Sequence, residues 1–350
     1  MDKLKQIATE VGVSTNTVLR VLRGENKEVW PSAIRRAGEI RALASQLGYL
    51  PNGSARAIRR GRFNCVSLVL STSEGRSYLP PDLFNEIHDS LAEQNTRLIV
   101  SKLTDARLTD RDAVPSILRD WSCDGLLINY TDHIPPAMVE LLERYSIPSI
   151  WLNSRQSGDC VYYDDFGGAM AATQHLIKLG HRRIDYVDFI TIESPRRTHY
   201  SRIDRYEGYK QAMKLAGLLP TDRSRYADVP TSDRLNATRA LLKQENRPTA
   251  VISYDSGERF LYAASLVGME VGKDVSFITF EPKPPAAATY ARGESYFGRA
   301  IGTMRIPAEI AGRRAVEMLQ QKIEEPDRKL PACVVPLELI PGDTCGPAPH

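Results

Sequence analysis

The chain has 350 residues, 42% hydrophobic and 25% charged, enough to build two or three packed domains. No run approaches the length of a membrane span, "MDKLKQIATE" lacks the apolar core of a signal peptide, and the five cysteines (Cys65, Cys123, Cys160, Cys333, Cys345) form no CxxC pair. These features argue against a membrane protein, an exported disulfide scaffold and a zinc module, and the expectation is a cytoplasmic protein with free thiols.

The net charge of +3 is unevenly spread. Residues 1–62 hold twelve Lys and Arg against five Asp and Glu, a formal +7, and the remainder carries −4. A basic head on an acidic body suits a polyanion-binding segment joined to a sensor or catalyst. A solvated basic tail is the plainer alternative, but the helical patterning of residues 4–50 speaks against it.

In "LKQIATEVGVSTNTVLRVLRG", Leu4, Ile7, Ala8 and Val11 recur at helical spacing, Gly12 breaks the pattern, and a second helix starts after the N-cap Ser14. Val18, Val21 and Leu22 share its inner face. Thr15, Asn16, Leu19, Arg20 and Arg23 lie opposite, which suits a helix that enters a DNA major groove at its N-terminal end. A long connection, "ENKEVWPSAIRRAGE", carries Gly38 and leads to the helical "IRALASQLGYLPN". Next comes "PNGSARAIRRGR", where Pro51 stops that helix, Asn52 can cap a short new one, and Ala55 and Ile58 share a face. A helix this short forms only with outside support.

After residue 62, short β-branched runs ("CVSLVLS", "TRLIVSKL", "DGLLINY", "IPSIWLN", "RRIDYVDF", "TAVISYD", "VSFITFE") alternate with helical stretches. Alternation of this kind builds parallel sheets covered by helices on both faces, here in two lobes. Ligands bind such sheets beyond the carboxyl ends of the strands, which puts Ser71 to Tyr78, Asn129, Tyr130, Asn153, Asp188, Asp255 and Glu281 in view. The set is polar and aromatic, as a many-hydroxyl ligand requires. No GxSxG elbow, Walker loop, HExxH or GxGxxG after a strand occurs, so no enzyme activity and no cofactor are expected.

The head motifs, together with "CDGLLINY", "VYYDDFGGAMAATQHLIKLGHRRI", "RIDRYEGYKQAMKLAGL", "PTAVISYD", "GKDVSFITFE" and "IPAEIAGRRAVEML", resemble the LacI/GalR family of bacterial transcriptional regulators along essentially the whole chain. The resemblance implies a helix-turn-helix headpiece (1–50), a hinge (51–62), and a two-lobed periplasmic-binding-protein-like core (63–350) of two doubly wound parallel sheets. The lobes are expected at about 63–155 plus a later crossover, and about 165–285 plus a C-terminal strand. It further implies a repressor that binds a palindromic operator in double-stranded DNA, nucleoid-associated when bound, as a homodimer or higher oligomer. A sugar-like effector would bind between the lobes.

Carried over by position, Thr15, Asn16 and Arg20 would read bases, and Ser14 and Thr17 would touch phosphate. Leu19 stands where the family usually has serine and offers an apolar contact to a thymine methyl. Asn52, Ala55, Arg56, Ile58 and Arg59 would meet the minor groove, with Ile58 in the place of the family's inserted leucine. Arg205, Asn129 and Asp255 would hold the effector, with Glu281 beside them. Tyr78, Phe84 and Trp151 would stack on a sugar ring.

Each core residue also has a plainer reading. Arg205 lies among Arg202, Asp204 and Glu207 and could belong to a surface ion-pair cluster; Asn129 could end its strand in a turn; Asp255 could cap a helix; the aromatics could be partial core. The unusual stretches "DFITIESPRRTHYSRID" and "ITFEPKPPAAATYARGESYFGRAI" are expected to border the cleft and to alter which sugar or sugar derivative fits.

Overall fold

Three helices build the first of two units, Met1–Phe63 and Asn64–His350, in a computed structural model. The structure describes residues 3–22, 30–47, 62–73, 76–104, 106, 123–131, 133–144, 146–189, 199–221, 229–254, 257–281 and 300–349. Helices α1 (Lys3–Val11), α2 (Thr15–Leu22) and α3 (Pro31–Gln46) bury Ile7, Ala8, Val18, Val21, Ala37, Ile40 and Ala44 in one small core. The three-to-four-residue spacing of these side chains gives each helix a single apolar stripe. Gly12, at a φ of 67°, lets the chain turn, so that the Val13 N–H returns to the Ala8 carbonyl at 2.9 Å. The Ser14 hydroxyl then accepts the Thr17 N–H at 3.1 Å and starts α2.

The third helix begins well before "IRALASQLGYLPN". Pro31 tolerates the first helical turn, where its missing N–H is not needed, and Ala37 extends the buried stripe back from Ile40 across Gly38, which faces open space. The hinge positions Asn52, Ala55, Arg56, Ile58 and Arg59 lie outside the described residues.

In the second unit, one sheet comprises β1 (Cys65–Ser71), β2 (Arg97–Leu103), β3 (Gly125–Asn129), β4 (Ser149–Leu152), β5 (Cys160–Asp164) and β10 (Cys333–Pro336). Its order is β10-β5-β4-β3-β1-β2, all parallel. Strands β1, β3 and β4 are buried throughout, as the central strands of a sheet covered on both faces must be. Helix α4 (Pro81–Glu93) packs on this sheet, and α5 (Pro136–Arg144) joins β3 to β4.

The other sheet contains β6 (Ile184–Val187), β7 (Ala250–Ser253), β8 (Ser276–Glu281), β9 (Gly302–Arg305) and β11 (Glu338–Ile340), with α6 (Asp165–Lys178), α7 (Tyr200–Leu215), α8 (Arg234–Leu242) and α9 (Gly257–Leu266) about it. It is not wholly parallel: β11, reached only after the chain has visited β10 of the other sheet, runs antiparallel to β9.

The chain passes between sheets three times, after β5, after β9 and after β10. The first lobe thus runs on through β5. It regains the chain at α10 (Ala308–Glu324), whose Ala308, Ala311, Ala315, Val316 and Leu319 share a core with Val66, Leu68 and Leu127. The second lobe likewise extends past residue 285 to β9. The five cysteines are free thiols, and among the described residues no helix is long and apolar enough to cross a membrane.

His181 fastens the amino-terminal edge of the second sheet. Its Nε2 reaches the Gly346 carbonyl at 3.0 Å, which can only accept, so Nδ1 is left to accept the Thr249 hydroxyl at 3.0 Å. Burial holds its pKa below the ordinary value of about 6.5. The unfolded chain then binds a proton that the folded one refuses, and stability is lost as pH falls below about 6.5. Urea midpoints measured from about pH 7 downward should fall, and His181→Asn should remove part of that slope. An unchanged slope in the variant would refute the assignment.

Candidate functional site

The first unit presents a polar face on α2. Asn16 and Arg20 are exposed, and Thr15, Thr17 and Leu19 are half-buried between that face and the Val18–Val21 stripe. Ser14 and Thr17 share a hydrogen bond of 2.9 Å between their hydroxyls, so the capping group and the first helical turn are held as one piece. Exposed amide and guanidinium groups on a short rigid helix can form bidentate bonds with base edges.

In the second unit the carboxyl ends of the first sheet are stapled to the loop after β1. Ser71 N–H donates to the Ser77 hydroxyl at 2.7 Å, Ser77 donates to the Asn129 carbonyl at 2.5 Å, and Asn129 Nδ2 donates to the Tyr78 carbonyl at 2.9 Å. Asn129 is wholly buried, and its Oδ1 has no hydrogen-bond partner. It therefore does more than end a strand. The Tyr78 ring stands 47% exposed, whereas Phe84 packs against the first core.

Arg205 is 7% exposed and does not belong to a surface cluster. Its Nε donates to Asp165 Oδ1 at 2.5 Å, and its guanidinium carbon sits 4.1 Å from the Phe280 ring centre and 4.7 Å from that of Tyr254. Burial alone would lower its pKa, but the Asp165 carboxylate reverses this and holds it above the ordinary arginine value. One turn earlier on α7, Arg202 Nε donates to the buried Asp188 at 2.6 Å. Asp204 pairs instead with Arg155, and Glu207 with Lys210.

Residues at the start of α7 join the two lobes. His199 Nε2 donates to the Asn153 carbonyl at 3.2 Å, and its Nδ1 accepts the Ser201 N–H. The Ser201 hydroxyl meets Nδ1 at 2.7 Å and so donates to it, which makes Tyr254 the donor in the 2.9 Å bond between the Tyr254 and Ser201 hydroxyls. Tyr200 donates to Asn153 Oδ1 at 2.9 Å and accepts the Tyr163 N–H at 3.1 Å. Burial, with Asp165 nearby, raises the Tyr200 pKa well above the usual phenol value. Burial likewise raises that of Tyr163, aided by Asp165, Glu309 and Tyr78.

Trp151 is not part of this cluster. It is 5% exposed within β4 and lines a separate cavity of about 450 Å³ with Ile147, Ser149, Asp159 and Lys322, at the amino-terminal edge of the sheet. A side chain inside a strand points across the sheet face, and only those beyond its end reach the cleft. Asp255 lies outside the described residues; Glu281 closes β8, and its side chain is likewise undescribed. Among the described residues no group of three or more His, Cys, Asp or Glu is placed to hold a metal ion.

The sequence reading missed Asp165, His199, Ser201 and Tyr254. For Asp165 a signal was present: in "YYDDFGG" the first aspartate caps α6, leaving the second without that task.

A family profile described as a periplasmic binding protein-like domain matches residues 173–345. The ribose operon repressor of Escherichia coli K12 is 26% identical over 337 residues, covering 93% of this chain and 94% of that protein. The HTH-type transcriptional repressor PurR of Pectobacterium atrosepticum is 27% identical over 335 residues, covering 92% and 91%. Among solved structures, the lac repressor dimer bound to operator and the anti-inducer ONPF is similar with a TM-score of 0.72 at 18% identity, covering 97% of both chains. A complex of the transcriptional regulator CelR with cellobiose aligns with a TM-score of 0.61 at 20% identity, covering 97% of this chain and 99% of that one. These named relatives are regulators of transcription rather than enzymes. With a helix-turn-helix unit, a two-sheet core and relatives aligned over nine tenths of its length, the chain is similar throughout to transcriptional repressors of the LacI/GalR kind.

Proposed function

We propose that the chain is a cytoplasmic, nucleoid-associated repressor that binds a palindromic operator as a homodimer or higher oligomer and responds to a sugar or sugar derivative held between its core lobes. The observation that carries the effector half is Arg205. Its Nε is committed to Asp165, but its terminal nitrogens make no hydrogen bond among the described residues, at a point where both lobes contribute polar groups. The DNA half is supported by the exposed Asn16 and Arg20 and by the formal +7 of residues 1–62. Ile99 and Val100, exposed on the edge strand β2, offer a second copy an apolar surface to cover.

Effector binding acts on operator affinity through its preference for one arrangement of the lobes, since only a differential affinity can shift the balance. Footprinting on genomic DNA fragments at two salt concentrations tests the reading. One discrete palindromic site should be protected, more weakly at the higher salt, and one of the sugars in a screen should change its occupancy. A chain that protects no discrete site even at low salt is not an operator-binding repressor.

A further inference from the structure

We propose that Asp165 sets the charge of the molecule taken up beside Arg205: the cleft admits a neutral or cationic hydrogen-bond donor, such as a vicinal diol, and rejects a phosphate or carboxylate. This rests on the reading that an effector binds between the lobes.

Asp165 has no helix-capping duty, because Asp164 Oδ1 accepts the Gly167 N–H at 2.9 Å. It is wholly buried, its Oδ1 is bound to Arg205, and its Oδ2 has no hydrogen-bond partner. A buried carboxylate oxygen without a donor is costly, and a ligand bringing an O–H or N–H removes that cost. Asn129 Oδ1, at the carboxyl edge of the first sheet, is a second buried acceptor in the same condition, its amide nitrogen being committed to Tyr78. Both orphaned atoms accept, and neither can donate. A ligand end made only of acceptor oxygens satisfies neither of them.

The charges point the same way. Arg205 is matched by Asp165 and Arg202 by Asp188, so these two cations of α7 bring no net positive charge. An anion on the terminal nitrogens of Arg205 would lie close to the Asp165 carboxylate, and with Arg205 7% exposed and Asp165 wholly buried, water screens their repulsion little. A diol instead accepts from Arg205 with one lone pair and donates to Asp165 with its own hydrogen.

The test uses the full-length chain and isothermal titration with D-ribose, D-ribose 5-phosphate, D-glucose, D-glucose 6-phosphate, cellobiose and inorganic phosphate. Binding that Arg205→Ala removes should favour the neutral member of each pair by roughly tenfold or more, and inorganic phosphate should not bind the wild type. Asp165→Asn keeps the shape and drops the charge; it should gain phosphate affinity by roughly tenfold or more, whereas loss of a purely structural group would move neutral and anionic probes alike. Asp165→Ser serves if the asparagine variant does not fold.

Wild-type binding of a phosphorylated member as tightly as its neutral partner, through Arg205, overturns the proposal. So does a folded Asp165 variant that gains nothing for phosphate. If the variant gains phosphate binding but no probe changes operator occupancy in any form of the protein, the effector reading falls and the charge filter stands.

Discussion

Arg205→Ala is expected to lower the stability of the core by about 3–5 kcal/mol, the usual cost of stripping one partner from a buried ion pair. Asp165 has no exposed surface, and Arg205 is its one hydrogen-bond partner among the described residues. Without the guanidinium, the carboxylate is left buried with no hydrogen-bond donor among the described residues.

Replacing both partners by apolar residues, Arg205→Met with Asp165→Leu, should restore most of the loss, because neither charge then has to be desolvated. Urea unfolding decides the matter through the midpoint, with the slope unchanged. A loss under about 1 kcal/mol for Arg205→Ala would mean that water screens the pair as it does at a surface.

Arg20→Ala and Asn16→Ala are each expected to cost about 1–3 kcal/mol of operator binding and to relax specificity at one base position. Both side chains are exposed and stand outside the Ile7–Val18–Ile40 core, so the headpiece should remain folded. The hinge offers a contrast. Ile58→Ala should weaken specific binding more than non-specific binding, because an apolar wedge acts only where the duplex yields to it. Arg60→Ala should weaken both alike and reduce the salt slope by about 1. Competition titrations against operator and random DNA measure all four variants. Equal losses from Ile58→Ala and Arg60→Ala would reduce the hinge to a charged tether.

The periodicity of Ile7, Val18 and Val21, the turn at Gly12 and the cap at Ser14 were legible because they depend on neighbours within a few residues. The strand and helix alternation that announces two sheets was legible for the same reason. The start of α3 at Pro31 was not, since the deciding contact is Ala37 against the cores of α1 and α2 rather than any local propensity. Trp151 misled because a strand residue and a strand-end residue look alike in a chain. Only the register of β4, with Trp151 opposite Cys160 of β5, shows that its side chain lies on the sheet face.

By itself, then, the sequence determined the class of the protein: a basic helical head, an acidic two-lobed body and Arg205 as a residue of interest. Only the tertiary structure decided what Arg205 meets. Its partner Asp165 stands forty residues away, beyond a strand and a helix, and the rings of Tyr254 and Phe280 come from two further strand ends. Burial turns that meeting from an ordinary surface ion pair into a dry, charge-balanced site, and burial is set by the whole fold, which no local pattern of residues records.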